Sequence, residues 1–440
     1  MSDVLATVQE ALDAHGVRRC SVCIALSGGL DSVVLLQTVC VLAHAFELDV
    51  RALHVDHGLH EHAAQWAQFC KQQCDALGVP LAIERVTVTR DTGLGLEAAA
   101  RESRYAAFEK VRANFLALAH HLDDQVETFV LQLLRGAGVR GLSAMPEQRS
   151  LGTHGPQLLR PLLALTRAQL AGYANARGLD WVEDATNAEL AFDRNFLRHS
   201  LLPMLEQRFP AYRTTLSRAC RNLAESAELA DILATRDVEA LRVNGGLALS
   251  TLASWPVSRA LNAVRCQLRE HGCPMPPRSR LLEALRQACD ARGDSMVRVD
   301  IGEFSLRRYR DTLYVVANVE VPHGWRCVWR GERELALPPG LGLMRFEPAV
   351  GHGLSAQRLR EQEMWISFRS GGERMALAGN RPHRDLSKLC QQAGIAPWLR
   401  QRTPLLFGGQ QLAFVPGLGV AAEFQARPDE QSWEVRWVQT

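Results

Sequence analysis

Lysine is nearly missing from this chain: of its 50 basic residues only Lys71, Lys110 and Lys388 are lysine, and the rest are arginine. A base-composition bias in the coding sequence accounts for this. Arginine's planar fork suits phosphate recognition, but a bias spread along the whole chain locates no site. Long apolar runs are missing as well. None reaches the roughly eighteen residues of a membrane-spanning helix, so no membrane segment is expected. Residues 1–19 lack a charged start followed by an apolar core, so no secretory signal is read and a cytoplasmic protein is expected. Paired cysteines are also lacking. The 11 cysteines are odd in number and scattered, which argues for reduced, mostly buried thiols rather than a disulfide framework. Cys20 with Cys23, and Cys70 with Cys74, have no second close pair to complete four zinc ligands.

What is present is ordinary in bulk and specific in pattern. At 440 residues, 47% hydrophobic and 22% charged, with a formal net charge of +2, two or three soluble domains are expected. Over residues 20–135, β-like runs (21–26, 50–55, 81–88, 115–119) alternate with helical stretches (32–43, 62–77, 96–113). Such alternation predicts an α/β domain, a parallel sheet with helices on both faces and ligands at the carboxyl ends of its strands. Gly136, Gly138 and Gly141 read as a flexible loop. Residues 166–177 read as a helix capped by Thr166 and stopped by Gly178. A long polar helix over 211–241 has a thin apolar stripe at Leu216, Ala219, Leu223, Leu229 and Leu233. The expected organisation is an α/β domain over 1–210, a mostly helical linker and middle domain over 211–320, and a β-rich domain over 321–440.

The sharpest motif is Ser27-Gly28-Gly29-Leu30-Asp31-Ser32, between an apolar strand and an apolar helix. Its glycines let the backbone approach phosphate, and the helix start adds the positive end of its dipole. The serines supply hydroxyls, and Asp31 can hold Mg²⁺ against the phosphates. No Gly-Lys-Ser/Thr follows, so it is not a Walker loop.

Ser-Gly-Gly-x-Asp-Ser resembles the PP-loop of the ATP pyrophosphatase superfamily, whose members adenylate a substrate and release pyrophosphate. Within it the chain is similar to the tRNA(Ile)-lysidine synthetases. The likeness runs through His54 to Leu59, Glu97 to Tyr105, Ala119 to Thr128, Leu133 to Gly136, Arg160 to Leu163 and Asp193 to Arg198. It returns in residues 385–389, 397–400 and 404–405, which resemble the last domain of the family's longer members. The resemblance implies that the wobble cytidine of an isoleucine tRNA with CAU anticodon is adenylated by ATP. The side-chain amine of free L-lysine then displaces AMP.

On that reading Ser27, Gly28, Gly29, Leu30, Asp31 and Ser32 bind ATP with Mg²⁺ on Asp31. Asp56, His57, Arg101, Arg104 and His120 serve the adenylate. A helix over 120–135 is expected to turn Val126, Phe129, Val130, Leu133 and Leu134 to the sheet, leaving Asp124 and Glu127 to converge on the opposite face. That pair suits the lysine ammonium. Only the neutral amine attacks, and deprotonating an ordinary lysine of pKa about 10.4 at pH 7 costs roughly 4.6 kcal/mol. A base is therefore needed, with His120 and His121 the candidates. Arg194, Arg198, Arg381, Arg384, Lys388 and Arg400 are expected to bind tRNA, the C-terminal ones as a basic stripe with Trp398 among them. A homodimer is left open, and no membrane partner is expected. Sulfur-transfer relatives would need cysteines near the nucleotide, yet none lies between Cys74 and Cys220. Amidotransferase relatives would need a glutaminase domain. A catalytically silent tRNA-binding protein is disfavoured by the intact Asp31 and Ser32.

Overall fold

The computed structural model describes residues 4–58, 62–87, 96–152, 155–183, 193–291, 296–379 and 382–439, excluding the side chains of 96–98. The chain divides into two compact units, Met1–Ala230 and Asp231–Thr440.

The first unit carries strands β1 (Ser21–Ala25), β2 (Asp49–Asp56), β3 (Leu81–Arg85), β4 (Phe115–Ala117), β5 (Gln148–Ser150) and β6 (Gln157–Leu159). They form one sheet in the order β3-β2-β1-β4-β6-β5. Neighbours are parallel except β5, which runs antiparallel to β6. Helices α1 (Val4–Ala14), α2 (Leu30–Phe46), α3 (Ala63–Leu77) and α4 (Leu96–Glu109) alternate with the strands, followed by α5 (Leu122–Leu134), α6 (Val139–Leu142) and α7 (Arg167–Arg177). The expected parallel α/β sheet is present. Strand β1 displays its logic: Val22 and Ile24 join the core that includes α1, α2 and α7, while Cys23 joins a second core with Leu116 and Phe108 of α4. A strand buried on both faces reads as an unbroken apolar run, and burial pushes the Cys23 thiol up to about 12. Strand order reverses between β1 and β4, where such sheets open a crevice at their carboxyl ends.

Several local expectations are corrected. Residues 136–141 are not all loop, since α6 forms there with Gly138 as its N-cap. Helix α5 begins after His121, not at His120. Its Val126, Phe129 and Val130 pack on Leu197, Leu202, Tyr212 and Cys220 rather than on the sheet, and Leu133 and Leu134 are exposed. Those partners come from a segment comprising α8 (Asp193–Phe196), a π-helical turn Leu197–Leu201, α9 (Leu202–Arg208) and α10 (Tyr212–Leu241). Thr166 and Gly178 do cap α7, with a reciprocal Thr166/Gln169 box at its start.

The second unit holds helices α11 (Leu249–Ser254), α12 (Val257–Glu270) and α13 (Arg278–Asp290). They pack on an antiparallel sheet that includes β7 (Arg242–Val243), β8 (Gly246–Ala248), β9 (Arg298–Ile301), β10 (Phe304–Tyr309) and β11 (Thr312–Ala317). The middle region is thus helical on one side and a five-stranded sheet on the other. The remainder is β-rich, with a five-stranded and a four-stranded sheet around a core containing Phe346, Ile366 and Phe424. Among the described residues no helix is long and apolar enough to cross a membrane.

Candidate active site

The turn from β1 into α2 is built by its own small side chains. Ser32 Oγ donates to the Gly29 carbonyl at 2.9 Å and accepts from the Gly28 N–H at 3.1 Å and from Ser27 Oγ at 3.1 Å. Gly28 adopts φ +89°, and a Cβ there would stand 3.2 Å from Cys70 Sγ. Gly29 is the N-cap of α2 and supplies no side-chain cap. The first-turn N–H groups of a 17-residue helix therefore face the mouth of the loop, an arrangement that favours an anion. Gly28→Ala should destabilise the protein by about 1–2 kcal/mol from left-handed strain alone and weaken ATP binding as the loop shifts. Thermal unfolding and nucleotide titration check this; an unchanged Tm would contradict the tight packing of the turn.

Asp31 follows on the first turn of α2. Burial, opposed by His121, pushes its carboxyl above the ordinary range. Its Oδ1 is buried without a hydrogen-bond partner, and its Oδ2 lies 3.7 Å from His121 Nε2. A buried carboxylate oxygen left unsatisfied costs on the order of 1–3 kcal/mol or more, and a hard cation with oxygen preference would satisfy it. The residues therefore fit Mg²⁺ at Asp31.

At the end of β2, Asp56 Oδ1 accepts from the Gly58 N–H at 2.8 Å, closing the turn, and its Oδ2 lies 3.7 Å from Arg85. His57 has a buried Nδ1 with no hydrogen-bond partner. Burial, then Arg104, lowers its pKa, so the ring is neutral at pH 7. On α4, Arg101 is exposed and its Nη2 donates to the Tyr105 hydroxyl at 3.4 Å, with its guanidinium 5.1 Å from the Tyr105 ring. Arg149 approaches the same ring at 5.2 Å.

The β4–α5 junction gathers the rest. His120 is pushed down to about 3, first by burial, with Asp124 opposing and Arg160, Arg104 and Arg194 reinforcing the fall. Its Nδ1 accepts from Arg160 Nε at 3.3 Å. His120 is therefore a neutral ring with its Nδ1 engaged by the Arg160 guanidinium. His121 is the N-cap of α5: its Nδ1 accepts from the Asp124 N–H at 3.4 Å, and Asp124 Oδ2 accepts from the His121 N–H at 3.1 Å. His121 Nε2 lies 3.5 Å from Asp124 as well as 3.7 Å from Asp31.

Asp124 and Glu127 do converge, but not on a solvent-facing side. Glu127 is fully buried. Arg198, from the π-helical turn, grips it with Nε to Oε1 at 2.8 Å and Nη2 to Oε2 at 3.1 Å, and reaches Asp124 Oδ1 at 3.4 Å. Burial lowers the Arg198 pKa, yet Glu127, Asp124 and Asp31 together hold it above its ordinary value. Arg198 is thus an internal cation on the acidic pair, not a surface contact. Arg194 beside it is half-buried and donates to Thr128 Oγ1 at 3.2 Å. Asp123 ties the frame together, accepting from the Arg167 N–H at 2.9 Å and from Arg213 of α10 at 2.6 Å.

Three participants carry no site role in the sequence reading: Arg149, and Arg160 and Tyr105, which stand there only as parts of the family-like segments. Arg160 follows a strand of only three residues, too short for a periodicity signal; its buried side chain also bonds the Pro146 carbonyl at 2.6 Å. In the second unit, Arg384 and Lys388 are exposed, while Arg400 is half-buried and donates to the Ile395 carbonyl at 2.7 Å. Arg381 lies outside the described residues. Trp398 is buried against Tyr309 and Tyr314 in an edge-on cluster, so it offers no face for base stacking.

A parallel sheet with this phosphate-facing turn at its switch point defines a PP-loop ATP-using enzyme, and the PP-loop domain family matches residues 3–205. The families described as TilS substrate binding domain and TilS substrate C-terminal domain match residues 247–314 and 364–437. The tRNA(Ile)-lysidine synthase of Nitrosomonas europaea is 41% identical over 416 residues, covering 94% of this chain and 91% of its own. That of Azoarcus sp. is 42% identical over 422 residues, with the same coverage, 94% and 91%. That of Alkalilimnicola ehrlichii is 43% identical over 414 residues, covering 92% and 91%. The chain belongs to the tRNA(Ile)-lysidine synthase family, the tRNA-modifying ligases of the PP-loop class.

Proposed function

We propose that the enzyme joins free L-lysine to the wobble cytidine of tRNA(Ile) with CAU anticodon, spending ATP to AMP and pyrophosphate. The cytidine 2-oxygen attacks the α-phosphate of ATP and pyrophosphate leaves. The lysine side-chain nitrogen then bonds to C2, the C2–O bond breaks, and AMP departs with that oxygen. The product pairs with AUA in place of AUG, and the tRNA is charged with isoleucine in place of methionine.

The observation that carries this reading is the single imidazole of His121 standing 3.7 Å from Asp31 and 3.5 Å from Asp124. It joins the nucleotide end of the site to the acidic pair. Residues 27–32 hold the triphosphate at the N-terminus of α2, through the N–H groups of its first turn. Mg²⁺ at Asp31 would neutralise phosphate charge there. Arg101 and Arg104 contact the phosphate of the adenylate, where fixed guanidiniums offset charge developing in the transition state. Asp56 orders the loop after β2, and the neutral His57 and His120 give uncharged polar contacts. Asp124 and Glu127 hold the lysine ammonium. Arg198 occupies their donor position, so lysine entry requires it to share Asp124, to which its contact is the longer one at 3.4 Å. His121 accepts the Asp124 N–H at Nδ1 and so turns the N–H of its Nε2 toward Asp31 and Asp124; it is assigned to orient the two carboxylates. Residues 211–320 and 321–440 are assigned to tRNA, with Arg384, Lys388 and Arg400 among the contacts, and so is Arg381.

Labelled lysine, supplied with ATP, Mg²⁺ and tRNA, should enter the RNA, whereas labelled arginine or ornithine should enter far less. Label from a sulfur donor instead, with none from lysine, would overturn the reading.

A further inference from the structure

The second unit contains a cleft of about 770 Å³, formed by β9, β10, the segment 318–325, residues 367–370 and the helix Pro397–Arg402. Four arginines line it, Arg298, Arg307, Arg369 and Arg402, against one carboxylate, Glu320. Two of the four are neutralised, Arg298 by Asp300 at 2.8 Å and Arg369 by Glu373 at 3.4 Å. The other two have no ion pair among the described residues. Arg307 donates from Nε to Ser305 Oγ at 2.8 Å and from Nη2 to Asn318 Oδ1 at 3.3 Å. Its guanidinium lies 5.6 Å from the centroid of the buried Trp398 ring. These neutral partners aim the fork without cancelling its charge. Arg402 sits one turn beyond Trp398 on the same short helix and is half-buried.

Burial acts first on both groups and lowers their pKa values. For Arg307 the Arg298 charge adds to the fall and Asp300 opposes it; for Arg402 the Arg307 and then the Arg298 charge add to it. Like charges gathered in a recess repel one another unless an anion joins them. A guanidinium already oriented by neutral hydrogen bonds loses little freedom when it binds a phosphate oxygen.

We infer that this cleft holds a backbone phosphate of the tRNA, with the remaining N–H groups of Arg307 and the guanidinium of Arg402 as its ligands and Trp398 as the rigid wall beside them. The inference rests on the tRNA substrate proposed above but places the contact away from the exposed Arg384 and Lys388. Trp398 thereby acts on RNA by positioning arginine, not by stacking on a base.

The test uses the full chain and measures tRNA affinity across a salt series for the wild type, Arg307→Gln and Arg402→Gln. Each substitution should lower affinity about tenfold. Each should also reduce the slope of log affinity against log salt by about 0.7–0.9. ATP binding should be unchanged. Gln401→Glu, which adds a carboxylate at an exposed lining position and disturbs no buried group, should weaken tRNA in the same direction; it decides the matter if either arginine variant unfolds. Normal affinity and slope in all three variants would overturn the inference. Protection of the wild type from thermal unfolding by inorganic phosphate, lost in the variants while tRNA binding stays normal, would reassign the cleft to a free anion. Lysine incorporation at saturating tRNA is scored separately. Variants that bind tRNA weakly but still incorporate lysine at saturation support the cleft, whereas a wild type that binds tRNA without incorporating lysine counts against the proposed reaction alone.

Discussion

Asp31→Asn should lower ATP-dependent pyrophosphate release at saturating tRNA by about two to three orders of magnitude, while tRNA affinity stays within a few-fold of normal. Losing the anchor for Mg²⁺ removes several kcal/mol of charge stabilisation, and each 1.4 kcal/mol is about a factor of ten. The same substitution should raise Tm in the absence of nucleotide and metal. Asp31 is a carboxylate forced into burial, with its Oδ1 unsatisfied. A neutral amide of the same shape avoids that desolvation cost. Gain of stability with loss of turnover is the signature of a residue placed for chemistry. A lower Tm with near-normal pyrophosphate release would make Asp31 a structural residue and move the metal elsewhere.

The second large effect concerns Glu127 and Arg198. Glu127→Gln or Arg198→Met alone should destabilise the protein by about 3–5 kcal/mol, because each leaves the other member of a buried pair without its partner. The double variant Glu127→Met with Arg198→Met removes both charges and should recover much of that loss. Its lysine dependence is then the decisive readout. If the acidic pair receives the ammonium, the double variant folds but needs far more lysine, roughly 10- to 150-fold, since a charge-assisted hydrogen bond is gone. Its ATP and tRNA affinities should stay normal, and adenylated tRNA should accumulate. A double variant that is stable and has a normal lysine KM would mark the pair as a brace between α5 and the π-helical turn, leaving Asp124 as the carboxylate for lysine.

The contrast between these residues shows what was legible beforehand. The β1–α2 turn is largely a local object: Ser27, Gly28, Gly29 and Ser32 hydrogen-bond one another, so composition and order describe most of it. The sheet was legible because β1 and β4 are apolar and largely buried, and β-like and helical runs alternate around them. Glu127 was legible only as a carboxylate one turn from Asp124. Helical periodicity tells which residues share a face, but not what covers that face. The cover, Arg198, lies 71 positions away. Arg160 likewise meets His120 from 40 positions away, adding to the fall that burial causes in its pKa. In sequence Trp398 is the aromatic within a basic stripe, whereas Tyr309 and Tyr314, remote in sequence, bury it. Each of these differences comes from a long-range partner that local pattern cannot contain.

The central claim is that ATP is spent to adenylate the tRNA before lysine arrives. It is tested most directly by incubating the enzyme with tRNA and ATP labelled in the α-phosphate, with lysine withheld. Label should appear on the RNA, held through the 2-position of the wobble cytidine. A chase with unlabelled lysine should release it as AMP while the lysine becomes fixed in the RNA. If no label reaches the RNA without lysine, or labelled AMP becomes attached to lysine in place of the tRNA, the account is contradicted.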